Sequence, residues 1–126
     1  MIFDWINYLT LAEQLNSDTA NEAQLRTSIS RSYYCVFHKA RLLCLNDLKI
    51  IKTVELRGIN SHKLVIDRLA EQSDEDLYEI SHRLSSLKER REKADYEATA
   101  DIRQTYVNDT ILKAQMVLKM IREYNS

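Results

Sequence analysis

One glycine, Gly58, and no proline occur in 126 residues. Tight hairpins draw on residues that adopt positive φ or hold φ near −65°, so a chain this poor in both is not built from many short strands joined by turns. It reads as all-α, with a length that suits one domain and a core able to stand without disulfides or metals. Hydrophobic periodicity divides it into five helical segments. The first runs from about Ile2 to Leu15, with Ile2, Trp5, Ile6, Leu9 and Ala12 on one face. Asn16-Ser17-Asp18 marks a break and a cap. The second is long, roughly Thr19 to Asn46, with an apolar stripe of Ile29, Tyr33, Val36, Phe37, Ala40, Leu43 and Cys44. Residues 47–60 stay open between a helical tail and an extended piece. Ser61 is the expected N-cap of a short third helix carrying Leu64, Val65 and Leu69. Ser73-Asp74-Glu75-Asp76 caps a fourth helix that reaches about Ala94 and places acids at the positive end of its dipole. The fifth covers about Asp101 to Tyr124, with Val107, Ile111, Ala114, Leu118 and Ile121 facing inward. The economical architecture is one antiparallel helical bundle over residues 1–126.

The net charge of −1 gives no global pull toward nucleic acid. Cys35 and Cys44 are nine residues apart, on opposite sides of an ideal helix, so they are not expected to pair within it. No Cys/His cluster has metal-ligand spacing, and no cofactor is implied. Asp4 interrupts the first apolar stretch and no basic segment precedes it, which is unlike a signal peptide. No apolar run approaches the roughly 18 residues of a membrane span. The expectation is a reduced, cytoplasmic protein with no membrane association.

Charge is arranged in blocks. Ala23 to Asn46 holds Arg26, Arg31, Lys39 and Arg41 and no acid, Glu71 to Glu79 holds five acids and no base, and Arg83 to Lys93 holds five bases against two acids. Such blocks make either solvated helix faces or a basic cleft between the second and fourth helices. Arg31 and His38 are seven residues apart, which leaves them about 20° apart on one helical face. Arg91 continues the apolar stripe of Leu77, Ile80, Leu84 and Leu87, so its guanidinium needs a partner; Asp95, four residues on, is the candidate. That pair either closes the helix locally or belongs to a ligand site. His62 follows the expected cap, where the helix dipole favours the neutral imidazole that a general base needs. The bland alternative is a surface histidine, and His82 is read as one.

Three elements carry a family resemblance. Ser30-Arg31-Ser32-Tyr33-Tyr34-Cys35-Val36-Phe37-His38-Lys39-Ala40-Arg41 resembles the Ser-Arg-x-Tyr-Tyr-x-x-Phe-His-x-Ala signature of small prokaryotic HEPN domains. Gly58-Ile59-Asn60-Ser61-His62-Lys63 resembles their Ser/Thr-His-Lys element, and Arg91-Glu92-Lys93-Ala94-Asp95-Tyr96 their Arg-x-x-Ala-Asp-Tyr element. Order and spacing both match, over nearly the whole chain. The resemblance implies a helical bundle that forms a homodimer, often a metal-independent ribonuclease of a toxin–antitoxin or defence system, and often paired with a nucleotidyltransferase or antitoxin partner. The family's ribonuclease signature is an arginine followed, after four to six residues, by a histidine. Arg31 with His38 and Arg57 with His62 both satisfy that spacing, but neither lies on the late helix where the most active members keep it.

If the chemistry is present, a histidine takes the 2′-hydroxyl proton and an arginine stabilises the phosphoryl oxygens. The residues implied are His62, His38, Arg31 and Arg91 for catalysis and Tyr34, Arg57, Asp95 and Tyr96 for holding RNA or a nucleotide, with no metal. The alternatives are a non-catalytic module that binds RNA, a nucleotide or a partner protein, and a structural role in which Arg31 ties its helix to Asp95 through a buried ion pair.

Overall fold

Asn21 and Gln24 set the start of the central helix. The Asn21 side chain accepts from the Gln24 backbone N–H at 2.8 Å, and the Gln24 side chain accepts from the Asn21 N–H at 2.9 Å. This reciprocal capping box closes two orphan donors at once. In the computed structural model, which describes residues 1–125, five α-helices follow in order: α1 (Ile6–Leu15), α2 (Glu22–Leu42), α3 (Ser61–Ala70), α4 (Glu75–Tyr96) and α5 (Gln104–Asn125). The all-helical expectation therefore holds among the described residues, with corrections at the boundaries. The cap of α2 is Asn21 rather than the Asn16-Ser17-Asp18 stretch, because only Asn21 has a glutamine three residues on to return the bond. α1 begins four residues later than its apolar pattern implies, and Ile2 is 97% exposed. α3 is capped by Asn60 without a side-chain bond, so Ser61 is its first helical residue and not its cap.

α2 packs against α1, α4 and α5 and is buried on several sides. Ile29, Tyr33, Val36 and Ala40 are fully enclosed, and so is Cys35, off that stripe. Both cysteines are buried and free, Cys35 on α2 and Cys44 in the turn that follows it. Burial pushes the Cys35 thiol up to about 11 and the Cys44 thiol up to about 12, which leaves both protonated and unreactive near neutral pH. Small polar residues let α1 approach closely: the buried Ser28 hydroxyl donates to the Ala12 carbonyl at 2.7 Å, and Ser32 donates to the Ser28 carbonyl at 2.9 Å.

The segment left open at 47–60 is neither a continued α-helix nor an extended strand. Leu43–Asp47 widens into a π-turn in which the Leu48 N–H reaches the Leu43 carbonyl at 2.9 Å. Lys49 then takes a left-handed φ of 54°, Ile51 turns into the core, and Thr53–Arg57 forms a single 3₁₀ turn. Arg68 of α3 holds this segment by donating to the Ile50 carbonyl and pairing with Glu55 at 2.8 Å.

α4 and α5 run antiparallel, joined at one end by the Tyr124 hydroxyl, which donates to the α4 cap Asp74 at 3.0 Å. At the other end Arg26 of α2 donates to the Ala94 carbonyl at 2.8 Å and to the Ala100 carbonyl at 3.0 Å. It thereby closes the C-terminus of α4, where backbone carbonyls have no helical partner. Among the described residues no helix is long and apolar enough to cross a membrane.

Candidate functional site

Arg31, Tyr34 and His38 occupy one face of α2 at steps of three and four, and Tyr34 is the centre on which the other elements converge. Its ring lies under the Arg31 guanidinium at 4.8 Å and the Arg91 guanidinium, from the end of α4, at 5.1 Å. His62, in the first turn of α3, meets the same ring edge-on at 5.6 Å, and His38 is 6.2 Å from it. α2, the start of α3 and the end of α4 thus meet around one ring.

α1 supplies a wall that the sequence did not mark. Tyr8 lies beneath Arg31 at 4.7 Å, and Trp5 stacks on His38 with ring centres 3.5 Å apart and planes 15° from parallel. The only available signal was the i, i+3 spacing of two aromatics on a helix face, which is equally a core pattern.

The arginines differ in their company. Arg91 pairs with Asp95 at 2.9 Å, with side chains only 15% and 26% exposed, and reaches the Tyr96 hydroxyl at 3.5 Å. Arg31 makes no ion pair among the described residues. Its guanidinium donates to the Ser30 hydroxyl at 3.4 Å, and it is Ser30 that donates to Asp95 at 3.4 Å. The tie from α2 to Asp95 therefore runs through Ser30, not through an Arg31–Asp95 ion pair. Arg41 also has no carboxylate partner among the described residues; its Nε donates to His38 Nδ1 at 3.2 Å. Two guanidiniums without neutralising carboxylates flank His38.

Both imidazoles are neutral at physiological pH. Burial, then Arg41, His62 and Arg31, push His38 down to about 4. Burial, then Arg91 and Lys88, lower His62, so burial rather than the helix dipole is the main cause. The hydrogen bonds also fix where each proton sits. Arg41 is always a donor, so His38 Nδ1 accepts and its proton is on Nε2. Tyr33 is fully buried, its hydroxyl lies 2.7 Å from His62 Nδ1, and it has no other hydrogen-bond partner among the described residues. A buried hydroxyl proton left unbonded costs about 1–3 kcal/mol, so Tyr33 donates to Nδ1 and His62 also carries its proton on Nε2. Phe37 stacks on the other side of His62 at 4.0 Å and holds the ring. Each histidine therefore offers an N–H donor and not a lone pair.

Tyr96 is 74% exposed at the rim, with the Arg91 guanidinium 5.5 Å from its ring. Arg57 ends the 3₁₀ turn and is exposed; no hydrogen bond, ion pair or ring contact joins it to the cluster among the described residues. The Arg57–His62 pairing is thus not assembled, because Gly58 and the turn before α3 carry the arginine away. His82 is exposed, as expected of a surface histidine. Among the described residues no group of three or more acidic, histidine or cysteine side chains is arranged to hold a metal. Comparison with protein-family models, with curated proteins and with solved structures finds no match to this chain.

Proposed function

We propose that the Tyr34 cluster binds the phosphate of RNA or of a nucleotide, in a non-catalytic HEPN-like module. One observation carries this reading: among the described residues Arg31 and Arg41 have no carboxylate partner, although the chain as a whole is slightly acidic. Desolvated guanidiniums beside two N–H-bearing imidazoles form a donor set matched to phosphate oxygens. Tyr96 gives a base an exposed ring on which to stack, a contact worth about 1–3 kcal/mol. The resemblance to HEPN proteins points to the same ligand class and adds a homodimer and a nucleotidyltransferase or antitoxin partner to the proposal.

A second reading, metal-independent cleavage of RNA at this cluster, is favoured by the neutrality of His62 beside Arg91. In that case His62 would accept the 2′-hydroxyl proton at Nε2. It must first hold its proton on Nδ1, with the Tyr33 hydroxyl turned away from its present partner. Cleavage is then limited by that tautomer exchange, and Tyr33→Phe, which removes the competing donor, raises the rate.

The experiment incubates a labelled single-stranded RNA with the purified protein in chelator, and follows binding by gel shift and cleavage on a denaturing gel. The variants are Arg31→Ala, His62→Ala and Tyr33→Phe. Binding without cleavage that is lost in Arg31→Ala supports the first reading. Cleavage abolished in His62→Ala and faster in Tyr33→Phe replaces it with the second. Neither binding nor cleavage by the folded wild type contradicts both.

A further inference from the structure

Tyr96 ends a column of alternating rings and guanidiniums. Tyr8, Arg31, Tyr34, Arg91 and Tyr96 follow one another, each guanidinium lying 4.7 to 5.5 Å from the ring centres beside it. The column begins at the half-buried Tyr8 of α1 and ends at a ring that is 74% exposed. Arg91 also donates to the Tyr96 hydroxyl at 3.5 Å, so the ring is held from one side. Among the described residues no other ring or cation contacts it.

Beside that ring lies a cleft of about 450 Å³, lined by Glu89, Arg91, Glu92, Lys93, Tyr96 and Glu97. Its size is that of a small-molecule site. The cations of the cleft are engaged: Arg91 pairs with Asp95, and Lys93 lies over the Tyr106 ring at 5.2 Å. Glu92 pairs with Lys88 at 2.7 Å. The side chains of Glu89 and Glu97 have no hydrogen bond or ion pair among the described residues.

The cleft is thus rich in acceptors, whereas the surroundings of His38 are rich in donors. A phosphate is repelled by the first and attracted by the second, so a nucleotide laid across the two has its phosphate at Arg31 and its base at Tyr96. An ionised carboxylate only accepts hydrogen bonds. Among the four RNA bases, guanine alone places two adjacent donors, N1–H and the N2 amino group, on its pairing edge. Adenine and cytosine set one amino group beside an acceptor, and uracil sets one N–H between two acceptors. Glu89 and Tyr96 are seven residues apart, which leaves them about 20° apart on one face of α4. An aromatic side chain on a helix leans over the turn before it, here toward Glu89.

We propose that this cleft is a base subsite selective for guanine, in which the base stacks on Tyr96 and Glu89 accepts from N1–H and the N2 amino group. The proposal rests on the phosphate reading of the Tyr34 cluster and names the base that the same site takes. Guanine presents one edge in a free nucleotide and in single-stranded RNA, and the test includes both.

Isothermal titration calorimetry of the full chain uses GMP, IMP, AMP, CMP and UMP, and uridine oligomers with one guanosine or none. The wild type binds GMP, the guanosine oligomer or both roughly tenfold or more tightly than the ligands without guanine. A preference confined to the oligomer assigns the subsite to RNA, and one shared by GMP extends it to free nucleotides. IMP keeps N1–H and lacks the amino group, and it binds no better than GMP. Glu89→Gln, at an exposed position, removes the preference with an unchanged melting curve, while Tyr96→Ala weakens every ligand that binds. Equal affinity for all bases, or a preference that survives Glu89→Gln, overturns this proposal and leaves the phosphate reading standing. Binding of none of these ligands overturns both.

Discussion

Arg26 and Arg31 stand five residues apart on α2, both half-buried, Arg26 reaching the end of α4 and Arg31 lying between Tyr8 of α1 and Tyr34. Arg26 bonds the carbonyls of Ala94 and Ala100 and lies 3.8 Å from Glu22. It closes a helix end and pins the connection to α5. Arg31 finds one hydroxyl and two aromatic rings, and no carboxylate among the described residues. The same contrast holds between larger regions. Along α4 and α5, Arg83 pairs with Glu79, Lys88 with Glu92, and Arg90 with Asp109. Around His38 the positive charge of Arg31 and Arg41 meets no carboxylate among the described residues. Charge committed to the fold and charge available to a ligand are separable here by partner and not by residue type.

The largest expected effect breaks the first half of that comparison. Arg26→Ala removes charge-assisted bonds to buried carbonyls and lowers stability by about 2–3 kcal/mol, read as a drop of roughly 8 °C in Tm. Arg31→Ala is the opposite case. It lowers Tm by roughly 3–5 °C, about half the Arg26 loss, since it loses two cation–π contacts worth about 0.5–1 kcal/mol each and no ion pair. RNA binding falls at least tenfold. Comparable Tm losses in the two variants would erase the distinction.

A smaller effect sharpens the picture of the site as neutral at its histidines. The folded-state pKa of His38 lies at about 4, below its ordinary value near 6.5. Unfolded chains take up a proton through 6.5 while the folded protein does not until about 4. Stability is therefore full above pH 6.5 and declines as pH falls through that window. His62 is lowered as well and acts in the same direction. Denaturant melts from pH 7.5 to 4 should show the slope, and His38→Gln should flatten it without erasing it. A slope unchanged in that variant would remove His38 from the account. The smallest effect lies outside the cluster: Lys49→Gly relieves the left-handed φ of 54° and stabilises by up to about 1 kcal/mol.

Much of the fold was legible because apolar spacing and the lack of turn residues act locally. The inward positions of α4 (Leu77, Ile80, Leu84 and Leu87) and of α5 (Val107, Ile111, Ala114, Leu118 and Ile121) are all buried as their periodicity implies. Helix ends were less legible, since Asn16, Ser17, Asp18 and Asn21 are all competent caps, and the choice depended on Gln24 returning the bond. That Arg31, His38, His62 and Arg91 should be considered together came only from the family resemblance, not from any periodicity in the chain. Three features could not be anticipated. Tyr8 and Trp5 enter through α1 packing, Arg57 is carried off by a 3₁₀ turn, and the imidazole protons are set by Tyr33 and Arg41. Each depends on which side chains meet across helices, a property no single segment encodes.

The most direct test of the central claim, that Arg31 and Arg41 are phosphate ligands, is the salt dependence of single-stranded RNA binding. The fluorescence of Trp5, the one tryptophan, stacked on His38 beside Arg31, reports occupancy. The account predicts that a plot of log affinity against log salt loses about 0.7 in slope for each of Arg31→Ala and Arg41→Ala. Slopes that match the wild type, in variants that remain folded, would contradict it.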